Sequence, residues 1–334
     1  MRLGALLLSS LASAAAALAV VAPGPATGQV PEGLQVTGWT LDSSTTGLLD
    51  RNAAGLTTLS VAGVTLAADG GGVSAPNDGA LALLAAGQGH DLATELLISN
   101  YSNATGDVDA ARNHRLLSSP RKIDRVATRL AGFVTDQGWD GINVDLELVR
   151  ADDGPGLVAF AQALQDQMPP ERTVSIDISA STTVDGYEQH GYRLADLAAT
   201  VDVIDLMTYD QHGPGWSGPG PIGALPWQRD SLDALLTVVP PEQVQLGVAG
   251  YGYTWPRHGT GRSLGVRQAR GIVHRDGATP HWRAGVGEWT ARLSDGTIVW
   301  WSDRRSYALR VDLAREAGVR GLAVWRIGSA DTLR

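Results

Sequence analysis

The chain has 334 residues, of which 43% are hydrophobic and 18% charged, a composition typical of a globular protein with a full hydrophobic core. Its formal net charge is -9 and its basic residues are scattered, so a nucleic-acid-binding surface is not indicated. It has no cysteines, and its seven histidines include no pair at helical ligand spacing. These absences exclude disulfides and cysteine-ligated metals and give no indication of a zinc site, so we expect neither a metal nor a cofactor.

Residues 1–28 have the pattern of a secretory signal peptide. Arg2 precedes an uncharged Leu/Ala-rich run from Leu3 to Ala22, and a small-residue segment rich in Pro and Gly follows. An uncleaved anchor is the alternative, because the run is about long enough to span a bilayer. We exclude this segment from the fold. We predict a monomer that is secreted or associated with the cell wall, with no other membrane contact.

Eight short, β-rich apolar runs follow, with helical patterns between them. The runs are residues 34–39, 57–64, 95–100, 141–147, 173–179, 201–207, 244–250 and 320–326. One helical pattern opens at Ser119 and Pro120 and closes at Gly138, and others cover 156–168 and 229–239. This alternation predicts an α/β fold with parallel strands. Eight strands in about 300 residues favour a closed (β/α)8 TIM barrel over an open doubly wound sheet, and no dinucleotide fingerprint follows the first strand.

The spacing breaks once, between the seventh and eighth strands. Residues 254–302 form an insertion in which Asp295 and Gly296 separate two alternating runs, a pattern typical of a β-hairpin. We predict a small β-rich insertion that lies over the barrel mouth and deepens a groove, without a second independent domain.

The stretch GWDGINVDLELV (138–149) places Asn143, Asp145 and Glu147 at alternate positions. On a strand, these three side chains share one face, and the aliphatic residues between them, with Leu148, share the other. Active sites of such barrels lie at the carboxyl ends of the strands, so Asp145 and Glu147 are predicted to face the mouth. The alternative is an acidic strand end that caps a helix or pairs with arginine.

Other candidates follow the sixth, eighth and first strands. Tyr209 and Asp210 lie in LMTYDQH, Trp325 lies in AVWRIGS, and Trp39 ends the first strand. Each is weak alone, because a Tyr-Asp pair in a loop is often structural and a buried tryptophan is usually core. For Trp39 we weigh core packing equally with a place in the site.

Together these motifs resemble glycoside hydrolase family 18, the chitinase-like family. Its strand-four motif D-x-x-D-x-D-x-E matches Asp140, Asn143, Asp145 and Glu147, with Asn in place of the second acid, and its M-x-Y-D matches Met207, Tyr209 and Asp210. Its strand-eight tryptophan matches Trp325. The resemblance covers about residues 34–331. It is closest to the bacterial branch that includes spore-germination and cortex-lytic glucosaminidases, because a loop typical of that branch is matched here by PGPIGALPW at residues 219–227. The cell-wall-binding repeats common in that branch are absent.

The resemblance implies a substrate-assisted retaining mechanism on a polysaccharide that contains N-acetylglucosamine. Carboxylates two residues apart on a strand stand side by side, roughly 6 to 7 Å apart, and are poorly placed to flank a sugar ring. Glu147 would be the general acid, with its pKa raised by burial and by the Asp145 carboxylate. Asp145 would orient the substrate's acetamido group and Tyr209 would bind its carbonyl. The substrate-binding residues implied are Asn143, Asp140, Asp210, Trp325 and Trp39.

Three functions remain open at this point. The first is a retaining β-N-acetylglucosaminidase that acts on chitin or peptidoglycan, and the second is a catalytically silent, lectin-like protein on the same barrel. The third is a barrel enzyme of different chemistry, such as a metal-dependent hydrolase. Asn143 is a departure from the family pattern: an aspartate there could share a proton with Asp145, which an amide cannot do. We expect activity to persist with an altered pH profile.

Overall fold

The computed structural model describes residues 29–333, so the predicted signal or anchor segment lies outside the described residues. The strands within that range are β1 (Gln35–Leu41), β2 (Thr58–Thr65), β3 (Ala93–Ser99), β4 (Tyr101–Ser102), β5 (Asp107–Val108), β6 (Gly141–Asp145), β7 (Thr173–Ser179), β8 (Val203–Met207), β9 (Val244–Ala249), β10 (Tyr251–Trp255), β11 (Ser263–Gly265), β12 (His281–Arg283), β13 (Glu288–Arg292), β14 (Ile298–Trp301) and β15 (Gly321–Trp325). The α-helices are α1 (Thr46–Asp50), α2 (Asp78–Gly89), α3 (Ala110–Leu117), α4 (Pro120–Gln137), α5 (Gly154–Gln167), α6 (Val184–Gln189), α7 (Leu194–Ala198), α8 (Leu225–Leu236), α9 (Val266–Asp276) and α10 (Arg304–Ala317).

Eight parallel strands close into a barrel in the order β1-β2-β3-β6-β7-β8-β9-β15, and β15 pairs with β1 to complete it. The predicted (β/α)8 barrel is confirmed, and each of the eight predicted strands overlaps one barrel strand. No helix in residues 29–333 combines the length and the apolar character needed to cross a membrane.

The fourth predicted strand ends earlier than expected. It was predicted to reach Glu147, but β6 ends at Asp145. The chain turns at Leu148, which has a φ of 58° and is 58% exposed. The prediction that Leu148 lies on the aliphatic face of this strand is therefore wrong, and Glu147 lies in the loop that follows the strand.

Helix α4 shows how the sequence pattern specifies the outer layer. Ser119 occupies the N-cap position, Pro120 begins the helix, and Gly138 ends it with a φ of 82°, a left-handed conformation that costs glycine little. Its buried residues recur three and four positions apart, at Ile123, Val126, Ala127, Leu130, Ala131, Phe133 and Val134. Each large aliphatic side chain fully buried in this way contributes roughly 1.5–3 kcal/mol.

The insertion forms a five-stranded antiparallel sheet in the order β11-β10-β14-β13-β12, with α9 beside it. It begins at Tyr251, slightly before the predicted boundary at residue 254. The predicted hairpin turn connects β13 to β14, with Gly296 at a φ of 85°. The sheet has its own apolar core, formed by Leu264, Val266, Ala269, Val273, Ala291, Val299 and Trp301.

Candidate active site

Asp145 and Glu147 lie at the carboxyl end of β6, the end of a barrel at which active sites are built. Asp145 is the last residue of the strand and is 9% exposed. Glu147 is half-buried in the following loop. Both predicted carboxyls are thus at the mouth, but the strand geometry holds only the first of them.

Two buried asparagines hold the backbone of Glu147. Its N–H donates to Asn100 Oδ1 at 3.0 Å, and its carbonyl oxygen accepts from Asn100 Nδ2 at 2.9 Å and Asn113 Nδ2 at 2.6 Å. Both asparagines are 0% exposed. Three hydrogen bonds therefore fix a loop residue as firmly as a strand residue and leave its side chain free for chemistry.

The electrostatics of the pair suits an acid catalyst. Burial, with the Asp210 and Asp107 carboxylates, raises the pKa of Glu147 to about 7. Burial and the neighbouring Glu147 raise the pKa of Asp145 well above its usual range. The pKa of Glu147 is raised in the expected direction, but the charges that add to burial are those of Asp210 and Asp107. A carboxyl with such a pKa still holds its proton near neutral pH.

Tyr209 lies just beyond the end of β8 and faces the same carboxyls. Burial and the carboxyl groups of Asp177, Asp145 and Glu147 raise the pKa of Tyr209 well above its usual range. Its hydroxyl therefore remains a hydrogen-bond donor at every working pH. The ring of Tyr209 packs edge-on against Tyr251, with centroids 6.3 Å apart.

Asp210 is held by the insertion. Its Oδ1 accepts hydrogen bonds from the hydroxyls of Tyr251 at 2.5 Å and Tyr253 at 2.8 Å, both on β10. Its backbone has a φ of 57°, and burial raises the pKa of its carboxyl. The insertion thus supplies the donors that orient the Asp210 carboxyl, which acts on Glu147.

The two predicted tryptophans lie at different depths. Trp325 is half-buried at the end of β15, and Trp39 packs edge-on beneath it with ring centroids 6.1 Å apart. Trp39 is 1% exposed and donates its Nε1–H to Asn143 Oδ1 at 2.9 Å. Trp325 can offer an apolar face to a ligand. Trp39 follows the core-packing alternative, and its predicted contact with substrate is contradicted by its burial.

Asn143 does not reach the mouth. It is 0% exposed, and its Oδ1 accepts from Trp39 Nε1 and from Ser60 Oγ at 3.3 Å. Its Nδ2 donates to Ser175 Oγ at 3.0 Å and to Asp177 Oδ1 at 2.8 Å. An amide has two donor hydrogens and two acceptor lone pairs, and all four are used here. The prediction that Asn143 binds substrate is therefore wrong, because it joins three other barrel strands, β1, β2 and β7, beneath the site.

Asp140 lies at the opposite end of the barrel, just before β6 begins. Its Oδ2 accepts from Thr94 N at 2.9 Å and from Thr94 Oγ1 at 2.8 Å, and its Oδ1 lies 3.2 Å from Arg172 Nη1. It lines a polar cavity of about 280 Å³ with Glu95 and Arg320. The structure contradicts its predicted role in substrate binding, since the strand separates its carboxyl from the mouth.

Sequence reasoning missed Asn100, Asn113, Tyr251 and Tyr253. Asn100 directly follows a barrel strand and the two tyrosines alternate along β10 just after β9, so the rule that selected Asp145 could have found them. Asn113 lies inside helix α3, where nothing in the local pattern marks it. In residues 29–333, no three His, Asp or Glu side chains are grouped so as to hold a metal ion.

A buried ion pair between Glu288 and Arg310 holds the loop after β8 at Ile222 and Gly223. Glu288 on β13 accepts from the backbone N–H groups of Ile222 at 2.8 Å and Gly223 at 2.9 Å. Arg310 on α10 lies 3.6 Å from Glu288 and donates to the carbonyl oxygen of Gly223 at 2.6 Å. Both charged side chains are 1% exposed. The loop that contains Tyr209 is therefore tied to the insertion and to α10.

Comparison with known proteins identifies the family of the chain. The model of "Glycosyl hydrolases family 18" matches residues 100–330. An uncharacterized glycosylase of Bacillus subtilis, YvbX, is 24% identical over 71% of this chain and 71% of its own length. The cortical fragment-lytic enzyme of B. subtilis is 26% identical over 70% of this chain, and the match spans 56% of that relative. A chitinase crystal structure from Chromobacterium violaceum superposes with a TM-score of 0.80 at 27% identity, covering 89% of this chain and 95% of that one.

Proposed function

The chain belongs to glycosyl hydrolase family 18 and is a chitinase-like hydrolase, and from that premise we propose that it cleaves β-linked N-acetylglucosamine glycans, chitin or peptidoglycan, by substrate-assisted catalysis. One observation carries the proposal. The half-buried acid Glu147, with a pKa of about 7, stands at the barrel mouth next to Asp145. Both carboxyls come from one strand end, so the substrate's own acetamido group takes the place of a nucleophile on the far side of the sugar.

The proposed first step breaks the glycosidic bond. Glu147 donates its proton to the glycosidic oxygen while the acetamido carbonyl oxygen attacks the anomeric carbon, which gives a cyclic oxazolinium ion. Asp145 accepts a hydrogen bond from the acetamido N–H and offsets the positive charge of the oxazolinium ion. The Tyr209 hydroxyl donates a hydrogen bond to the acetamido oxygen. Trp325 forms an apolar floor beneath the sugar.

The second step returns the enzyme to its starting state. Water attacks the anomeric carbon from the side the leaving group vacated, and the Glu147 carboxylate takes the proton of that water. Two displacements at one carbon retain the anomeric configuration. Asp145 keeps its charge throughout, because the only proton exchanged with the enzyme passes through Glu147.

Product release tests the proposal. Wild type and Glu147→Gln are incubated in parallel with purified peptidoglycan and with chitin oligosaccharides, and the products are identified by mass spectrometry. We expect wild type to release N-acetylglucosamine-terminated fragments and Glu147→Gln to release none. The lectin-like alternative would hold if neither protein released product while both bound one of the glycans.

The proposed site of action is outside the cytoplasm, on or beyond the cell wall. The support is the signal pattern of residues 1–28 and a relative named as a cortical fragment-lytic enzyme. The test is the N-terminal peptide mass of the protein recovered from the culture medium and from the wall fraction. A mature N-terminus near residue 29 is the expected result, and an intact leader in the membrane fraction would instead indicate an anchor.

A further inference from the structure

Three aspartates lie side by side on neighbouring strands inside the barrel, and the proposed chemistry uses only one of them. Asp177 on β7 pairs with Asp205 on β8. The register of β6 and β7 pairs Val144 with Ile176, which sets Asp145 beside Asp177 at the next position. We call Asp145, Asp177 and Asp205 the aspartate row.

The row is buried and incompletely hydrogen-bonded. Asp145, Asp177 and Asp205 are 9%, 4% and 1% exposed. Asp177 Oδ1 accepts from Asn143 Nδ2 at 2.8 Å. Among the described residues, the Oδ1 atoms of Asp145 and Asp205 are buried without any hydrogen-bond partner. A buried carboxyl oxygen without a donor is costly, so the row needs protons or some other source of donors.

The charged groups near the aspartate row do not supply these hydrogen-bond donors. No ion pair in residues 29–333 includes a member of the row. The titratable and charged groups that act on it from the surrounding strands and loops are Glu95, Glu147, Tyr192, Tyr209 and the cation Arg320. Arg320 lines the cavity at the amino-terminal end of the barrel, so the end near Glu147 has an excess of acids.

Three ionised carboxylates cannot coexist in this arrangement. Neighbouring strands are about 5 Å apart, and like charges this close repel strongly inside a protein, where the effective dielectric constant is far below that of water. Burial raises the pKa of all three carboxyls. Asp177 is the central member, with a carboxyl on each side that raises its pKa further, so it is the place at which a retained proton relieves two repulsions at once.

We infer that Asp177 is a positioning residue for the hydrolysis, and that its protonated carboxyl donates a hydrogen bond to Asp145 and keeps Asp145 ionised. Asp177 Oδ1 accepts from Asn143 Nδ2, and Asp205 also lies within hydrogen-bonding range of Asp177, so a protonated Asp205 can donate to Asp177 while Asp177 directs its own proton to Asp145 Oδ1. The inference rests on the proposed function, in which Asp145 must be an anion to accept the acetamido N–H. The neighbouring strand thus supplies the proton-sharing partner that Asn143 cannot be. The proton stays on Asp177, since Glu147 handles the proton exchanged with substrate.

The test compares two substitutions at one position through the acid limb of kcat/KM, which reports the ionisation of Asp145. Asp177→Asn keeps the shape of the protonated acid, because its carbonyl can accept from Asn143 and its NH2 can donate to Asp145. Asp177→Ala removes the donor. Ser175→Ala is the matched control, since it removes another partner of Asn143 from the same face of β7 without adjoining Asp145.

We expect Asp177→Ala to lower kcat/KM about 10- to 100-fold, the loss typical of one hydrogen bond to a charged group. Its acid limb should move up by about one pH unit as Asp145 loses its donor. Asp177→Asn should rescue most of the activity and keep the wild-type acid limb, as should Ser175→Ala. The inference is overturned if the limb moves down in both Asp177 variants, which would show an ionised Asp177. It is also overturned if the limb moves up equally in both or stays in place in both.

An infrared measurement without substrate separates this inference from the proposed function. The difference spectrum of wild type minus Asp177→Asn at pH 7 should contain the carbonyl band of a protonated, buried carboxylic acid. A missing band contradicts the inference whatever the enzyme's activity. If the band is present but wild type releases no product from either glycan, the proposed function is wrong. Asp177 is then protonated as inferred, but its hydrogen bond to Asp145 has no role in catalysis.

Discussion

At the residue scale, Glu147 combines a rigid backbone with a side chain free of hydrogen bonds to the described residues. Asn100 and Asn113 hold its N–H and carbonyl oxygen, so ordering the loop adds little cost when substrate binds. Burial and two nearby carboxylates set the pKa of its side chain to about 7. Position and proton affinity are thus controlled by different neighbours, and they can be tested by different substitutions.

The charge on Asp210 should tune the general acid. Activity requires protonated Glu147, so kcat/KM should be highest below pH 7 and fall as the pH rises through about 7. Asp210→Asn removes the largest charge contribution to this pKa, and the alkaline limb should move down by about half a pH unit. Asp107→Asn, which removes the smaller contribution, should move it less. Equal limbs in all three proteins, measured as kcat/KM against pH, would contradict this assignment.

Substitution of Asn143 should mainly lower the stability of the fold. Asn143→Leu keeps a similar volume but removes four hydrogen bonds, leaves Trp39 Nε1 without an acceptor and removes the donor to Asp177 Oδ1. We expect a loss of about 2–4 kcal/mol in the free energy of unfolding, measured by urea denaturation. Ser60→Ala removes only the 3.3 Å bond and should cost less than about 1 kcal/mol. Similar losses in both variants would show that the network is not cooperative.

At the element scale, the site depends on elements that contribute no catalytic group. Strand β10 holds Asp210 through Tyr251 and Tyr253. Strand β13 and helix α10 hold the far end of the same loop through Glu288 and Arg310. The insertion and the last helix therefore act as supports that place the loop after β8 against the mouth.

Glu288→Gln should loosen this support. It removes the charge opposite the buried Arg310, and it turns one of the two carboxylate oxygens that accept from the Ile222 and Gly223 N–H groups into an NH2 group, which cannot accept. Breaking a buried pair in this way costs about 3–5 kcal/mol, which should appear in urea denaturation together with a fall in kcat. Glu316→Gln is the control: it breaks an exposed pair with Arg229, so stability should hardly change. An effect of similar size in both variants would be inconsistent with the support role.

At the scale of the whole molecule, the barrel interior is unusually acidic. Glu95 on β3 is 7% exposed, and its Oε1 accepts from Ser175 Oγ at 3.2 Å. Burial raises its pKa to about 7. Below it is the polar cavity at the amino-terminal end of the barrel, and above it is the aspartate row. Several buried carboxyls must therefore keep protons for the fold to be stable.

The stability of the whole fold should accordingly fall as the pH rises. A folded pKa of about 7 against the usual glutamate pKa of 4.5 means that the native state binds the proton more tightly, so the stabilisation is complete below pH 4.5 and is lost as the pH rises through 7. For Glu95 alone this is about 3 kcal/mol. Glu95→Gln should reduce the decline in unfolding free energy between pH 5 and 8, whereas Glu242→Gln, at an exposed site, should leave it as in wild type. A wild-type stability that rises across this range would refute the prediction.

The sequence by itself determined the barrel, its eight strands, the bounds of α4, the hairpin at Gly296 and the position of Asp145 and Glu147 at the mouth. These follow from local patterns, because alternation, helical spacing and turn residues act between neighbours in the chain. The resemblance in motifs identified the family on the same local evidence.

Only the tertiary structure decided what each motif residue does. Asp140 and Asp145 belong to one motif, yet β6 carries one to the amino-terminal end of the barrel and the other to the mouth. The hydrogen-bonding groups of Asn143 are all used by other side chains, one of them 104 positions away in the sequence. Asn113 donates to the backbone of Glu147, which lies 34 positions away. Hydrogen bonds and electric fields act through space between groups that closure of the barrel brings together, and no pattern along the chain records those distances.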